Sequence, residues 1–145
     1  MDPRKKIEMK RRTMLVLLTS VMLVALSGCT PAYKNKEPNV RRAAVLKLTD
    51  PTLLTAIAFD DPDKGVCHTA VDRLAEIHAL DQALAARLAT EHKLDEVRLR
   101  VIVLYLEDRA TLDKIVTNDN EGTMIRQLAN KRLVELTGVE KYEFH

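Results

Sequence analysis

The chain has no tryptophan, and its aromatics stop at Tyr33, Phe59, Tyr105, Tyr142 and Phe144. Any core must therefore come from leucine, alanine, valine and isoleucine. Serine occurs only at Ser20 and Ser27, within the first 28 residues. The four glycines, Gly28, Gly65, Gly122 and Gly138, form no phosphate-cradling cluster. No CxxC, HxxxH or HExxH spacing occurs, so the usual zinc patterns are missing. The longest mostly apolar run, Met14 to Leu26, has 13 residues, well short of the roughly 20 that span a bilayer core.

That run follows Arg4, Lys5, Lys6, Lys10, Arg11 and Arg12 and leads into Leu26-Ser27-Gly28-Cys29. A basic start, a short apolar stretch and small residues at the end describe a secretory signal. The tetrapeptide resembles the lipobox of bacterial lipoproteins, residue for residue. The resemblance implies that residues 1–28 are removed and that Cys29 is lipidated, becoming the first residue of a membrane-anchored chain. Arg11-Arg12-Thr13-Met14-Leu15 is similar to a twin-arginine signal but carries methionine where that signal has an aromatic, and the strongly apolar run favours the general secretory route. Thr30 after the cysteine, in place of aspartate, resembles outer-membrane sorting in enterobacteria; the resemblance favours the periplasmic face of the outer membrane, with the inner membrane as the alternative. With serine confined to the signal, a serine nucleophile is excluded from the mature chain.

Charge changes sign once the signal is set aside. The whole chain has 23 basic and 21 acidic residues, whereas residues 29–145 have 17 and 19. The basic character belongs to the targeting segment, and no basic stripe with interleaved aromatics remains to suggest nucleic acid. The 117 mature residues suit one small domain. Cys67 has no intramolecular partner if Cys29 is lipidated, despite an oxidising compartment. It reads as a small buried hydrophobe, with a reactive thiol as the alternative.

Residues 29–37 read as the lipidated cysteine and a polar tether; the eight residues from Thr30 to Glu37 reach at most about 28 Å when extended. From Pro38 the chain repeats. Val40 to Leu48 aligns with Val66 to Leu74, Val97 to Tyr105 and Ile125 to Leu133, with starts 26, 31 and 28 residues apart. Each segment places an aliphatic first, a small or β-branched residue four later and usually leucine eight later, which is one face of a helix.

Between them Leu48-Thr-Asp50-Pro-Thr-Leu-Leu54 matches Leu106-Glu-Asp108-Arg-Ala-Thr-Leu112. Asp50 and Asp108 are expected as helix N-caps, with Pro51 at the first helical position. Asp60 to Asp63 and Asn118 to Glu121 are expected to end one helix and cap the next. The second unit's short helix is expected from near Leu80-Asp81-Gln82 to about Glu91. Val97 to Leu106 begins with strict alternation of β-branched residues, so a strand is the alternative there. The repeat register favours the central helix of a stack.

The expected fold is all-α, a short solenoid of about 3.5 helix-pair units over residues 38–138, ended by Gly138 and followed by a tail, 139–145. These units resemble HEAT-type repeats of the short form found in phycobilisome lyase-like proteins, carried by Asp50, Asp108, Val40-Arg41, Val97-Arg98 and Ile125-Arg126. The resemblance implies an arginine–aspartate ladder between units, broken at the second unit, where Cys67 replaces arginine.

Cys67, His68, His78 and His92 are the soft ligands of the repeat domain, with His145 beyond it, and their spacing supports no metal site. Asp60/Asp61 and Asp95/Glu96 read as helix-start charges rather than acid–base pairs. The surface of the Val-Arg helices lines the concave face in HEAT-type folds, so Arg42, Lys47, Asp72, Arg73, Arg100, Asn130 and Lys131 are the candidate partner-binding residues. No cofactor and no catalytic residue is expected. The functional expectation is a non-enzymatic interaction scaffold for another envelope protein. The alternative is an accessory or regulatory subunit of an envelope enzyme with a redox-sensitive Cys67.

Overall fold

The computed structural model describes residues 31–139. Residues 1–30, on which the expected signal and the expected lipidated Cys29 fall, and residues 140–145 of the expected tail lie outside the described residues. Within them the chain is all-helical, with no strand. A short 3-10 turn, Ala32–Lys34, precedes α1 (Pro38–Val45), α2 (Pro51–Asp60), α3 (Lys64–Glu76), α4 (Gln82–Glu91), α5 (Asp95–Leu104), α6 (Arg109–Thr117) and α7 (Thr123–Thr137). The β-branched run from Val97 is helical: Val97, Val101 and Ile102 are fully buried, and that packing overrides their strand preference.

Helix starts follow local chemistry. Asp50 Oδ1 accepts from the amides of Thr52 (2.9 Å) and Leu53 (3.4 Å), and Pro51 occupies the first helical position. Asp63 receives Val66 N–H at 3.1 Å, Asp81 receives Leu84 N–H at 2.7 Å and Asp108 receives Thr111 N–H at 3.0 Å. Each such cap contributes about 1 kcal/mol. Two expected caps differ. Asp60 and Asp61 close α2 rather than open α3, and the N-cap of α7 is Gly122, with no side-chain cap, while the Glu121 carboxylate pairs with Arg98. Gly138 ends α7 at φ 70°, its N–H on the Val134 carbonyl at 2.7 Å.

The first helices contact one another in order, α1 on α3, α3 on α5 and α5 on α7, while α2, α4 and α6 pack on α3, α5 and α7. Leu54, Leu74, Leu88, Ile102, Leu106 and Leu112 are fully buried between them, with valine and alanine filling the rest. No aromatic is buried among the described residues. Cys67 is fully buried in this core. None of the described helices is long and apolar enough to cross a membrane.

Residues 31–37 do not form an extended tether. Lys34 N–H and Asn35 N–H close the 3-10 turn onto the carbonyls of Pro31 and Ala32, Tyr33 packs against the core, and Arg41 Nη1 binds the carbonyls of Asn35 and Lys36, each at 2.9 Å. The arginine supplies what composition alone hides, a charged donor for two carbonyls of a polar stretch.

Candidate functional site

A helix leaves its last carbonyls without intrahelical partners. In this chain the eighth residue of each second helix, Ala58 in α2, Ala89 in α4 and Val116 in α6, offers such a carbonyl. Arg98 Nε donates to Ala89 O at 2.8 Å and Arg126 Nε donates to Val116 O at 2.9 Å. Both arginines hold the position after the leading aliphatic of the repeat, and both bring positive charge to the negative end of a helix. In α3 that position is Cys67, which is too short to reach. Its thiol instead donates to Asp61 O at 3.2 Å. Ala58 O is served from the following unit, by His92 Nε2 at 2.9 Å. The other ring nitrogen, Nδ1, accepts Leu94 N–H at 2.9 Å, which fixes the tautomer with its proton on Nε2. The imidazole stacks on Phe59 with centroids 6.0 Å apart, and the Arg87 guanidinium lies 5.2 Å over the same phenyl ring.

The acidic side of these seams follows the same division. Arg41 forks onto Asp61 through two bonds of 2.8 Å. Arg98 forks onto Glu121, with Nη1 at 2.9 Å from Oε1 and Nη2 on Oε2. Asp61 and Glu121 stand in the loops before α3 and α7. The loop before α5 carries His92-Lys93-Leu94 and no acid, so the second unit lacks both halves of the pair. Asp50 and Asp108 are occupied as caps and meet none of these arginines. Hydrogen bonding to Glu121 raises the Arg98 pKa, and the same bond lowers that of Glu121. Burial pushes the Cys67 thiol up to about 11, assisted by the Asp61 charge, which keeps it protonated and a poor nucleophile at neutral pH.

The candidate binding residues divide into tied and free groups. Arg100 holds Asp72 through Nε (3.0 Å) and Nη2 (2.7 Å), and Tyr105 donates its hydroxyl to the same carboxylate at 2.7 Å. Burial, reinforced by that bond, raises the Tyr105 hydroxyl to about 12. Arg73 Nε binds Leu48 O at 2.9 Å while Nη1 pairs with Glu76. Arg132 repeats that device at Leu106 O and Glu135, so both arginines hold the chain that leaves a first helix. Asn130 is buried and is therefore no part of an exposed face. Arg42, Lys47 and Lys131 are exposed, and Arg42 lies alongside Gly65 at the start of α3, near Asp63.

Sequence reasoning missed the apolar members of this surface. Leu46, Asp72, Val103 and Lys131 share one register position, and Leu46 (55% exposed), Val103 (40%) and Leu104 (49%) present aliphatic surface beside the charges. The repeat alignment held the signal, because position seven of the unit alternates between aliphatic and charged residues.

Among the described residues no three His, Cys, Asp or Glu side chains converge on a point. His68 Nε2 lies 3.2 Å from Glu96 O, and His92 spends both nitrogens on the backbone. The arrangement offers paired charges, aliphatic patches and a thiol held protonated. No protein-family model, curated protein or solved structure matches the chain.

Proposed function

We propose that this chain is a lipid-anchored lipoprotein of the bacterial envelope, on the periplasmic face of the outer membrane. Its repeat domain, a short HEAT-like α-solenoid, holds another envelope protein near the membrane. The lipobox supports the anchor, and the order of helix contacts from α1 to α7 supports the stack. The observation that carries the scaffold reading is how the repeat's polar groups are spent. Arg73, Arg98, Arg126 and Arg132 bind backbone carbonyls of the preceding unit, and Arg41 binds those of the turn before α1. Val103, Leu104 and Lys131 are left exposed, a mixture of aliphatic and charged groups suited to protein contact. A redox role for Cys67 has no comparable support, since its thiol is buried and held protonated.

Crosslinking in intact envelopes tests the scaffold. The wild-type chain should give a discrete heterologous adduct. Val103→Glu with Leu104→Glu should lose it while the chain keeps its helical spectrum. Lys114→Glu on α6 should retain it. Adducts indifferent to all these changes would contradict the assignment of the face.

A further inference from the structure

The segment expected to be a leash is part of the folded end of the domain. Its 3-10 turn begins at Ala32, three residue steps after Cys29, which together reach at most about 11 Å. Arg41 clamps the carbonyls of Asn35 and Lys36 and is itself held by buried Asp61. A lipid on Cys29 would therefore hold this end of the domain against the bilayer, with almost no slack.

Charge points the same way. Residues 29–47 contain five basic residues and one acid, whereas residues 48–145 contain 12 basic and 18 acidic ones. Of the five, only Arg41 is buried; Lys34, Lys36, Arg42 and Lys47 are exposed. Val40 (41% exposed) lies on the flank of α1 opposite buried Arg41 and Val45, and Leu46 (55%) and Lys47 follow in the turn that ends the helix. Cations with scattered aliphatics on one helix and the turn after it fit an anionic headgroup surface, and the acidic remainder of the domain is repelled from it.

We propose that the 3-10 turn and the free flank of α1 form a headgroup-binding surface for anionic phospholipid. It seats the domain in one orientation, with α1 against the membrane and α7 away from it. The proposal rests on the reading of Cys29 as the lipidated residue. It has a consequence for the scaffold: a partner must come to the membrane surface, and the row from Leu46 to Lys131 leads away from it. Each exposed cation contributes attraction that removal should weaken by about fivefold in surface affinity, and salt should screen it.

The test uses the full lipidated chain in vesicles of phosphatidylethanolamine and phosphatidylglycerol with an energy acceptor on the headgroups. A donor dye is placed at Asn39→Cys on α1 or at Asn120→Cys before α7, and the vesicles are pelleted in parallel. Transfer should be larger from position 39 than from position 120. The gap should shrink at high salt and in the quadruple variant Lys34→Gln, Lys36→Gln, Arg42→Gln, Lys47→Gln. Equal transfer from both positions in chains that pellet would overturn the seated orientation and leave the anchor standing. A chain that stays in the supernatant would overturn the anchor, and the seating with it.

Discussion

His92 donates to the Ala58 carbonyl at 2.9 Å from a loop 34 residues further along the chain, in the place where Arg98 and Arg126 serve the equivalent carbonyls of α4 and α6. One substitution in the repeat, cysteine for arginine at position 67, is thus compensated in the neighbouring unit rather than at its own site. The compensation couples α2 directly to the approach of α5, so this histidine joins the polar links between units that Arg73 makes to the Leu48 carbonyl and Arg100 to Asp72.

His92→Ala should therefore lower stability by about 2 kcal/mol, because it strands the Ala58 carbonyl and the Leu94 N–H in a buried place. Urea unfolding of the two proteins side by side checks this. A midpoint within error of wild type would mean that the histidine fills space without holding the seam.

The Arg98–Glu121 fork gives an acid dependence with a defined sign. Arg98 holds the Glu121 carboxyl below its ordinary range. The pair therefore adds stability that is complete above the unfolded value of about 4.3. That stability is lost as pH falls through the lower folded value. Urea midpoints between pH 6 and pH 3 should fall more steeply for wild type than for Glu121→Gln. Arg98→Met should cost about 3 kcal/mol at neutral pH, since it leaves a carboxylate and a helix-end carbonyl without their cation. Parallel acid profiles for wild type and Glu121→Gln would contradict the linkage.

Cys67 gives the alkaline counterpart. Its folded pKa of about 11 lies above the unfolded thiol value, so its contribution is complete below about pH 8.5 and is lost as pH rises toward the folded value. Wild type should lose stability over that interval more steeply than Cys67→Ala. Native protein should resist thiol alkylation that denatured protein undergoes fully. Rapid alkylation of the folded chain would restore the redox reading of this residue.

His78 sits at φ 56° just after α3, in the left-handed region where α7 uses Gly138. A β-carbon there costs about 1 kcal/mol, so His78→Gly should raise the melting temperature by a few degrees. An unchanged or lower melting temperature would show that the ring makes a contact worth more than the strain it imposes.

Most of the helices were legible in the sequence because their signals are local. The four aligned segments share an aliphatic period, and Asp50, Asp81 and Asp108 announce the starts of α2, α4 and α6. The strand-like opening at Val97 was decided by its sister segments rather than by its own residues. What stayed hidden depends on distant partners. Nothing in Thr30 to Glu37 reveals that Arg41 will clamp it, and Asp61 and Glu121 look like helix-end acids until Arg41 and Arg98 reach them. The exchange of Arg for Cys67 was visible, but its repair by His92 required the two units to be brought together. Among the candidate site residues, Asn130 holds the register position of Val45, Val71 and Ile102, which are all buried, and it is buried with them; its polar side chain suggested a surface place that the repeat register does not give it.

The proposed anchor and the seated orientation both depend on Cys29. Intact and fragment mass spectrometry of the protein from purified outer membranes reads its N-terminus directly. The expected result is a chain beginning at Cys29 with a thioether-linked diacylglyceryl group, lost in Cys29→Ala, which should accumulate as a precursor that retains residues 1–28. A mature chain that begins elsewhere, or that carries an unmodified Cys29 thiol, would contradict it.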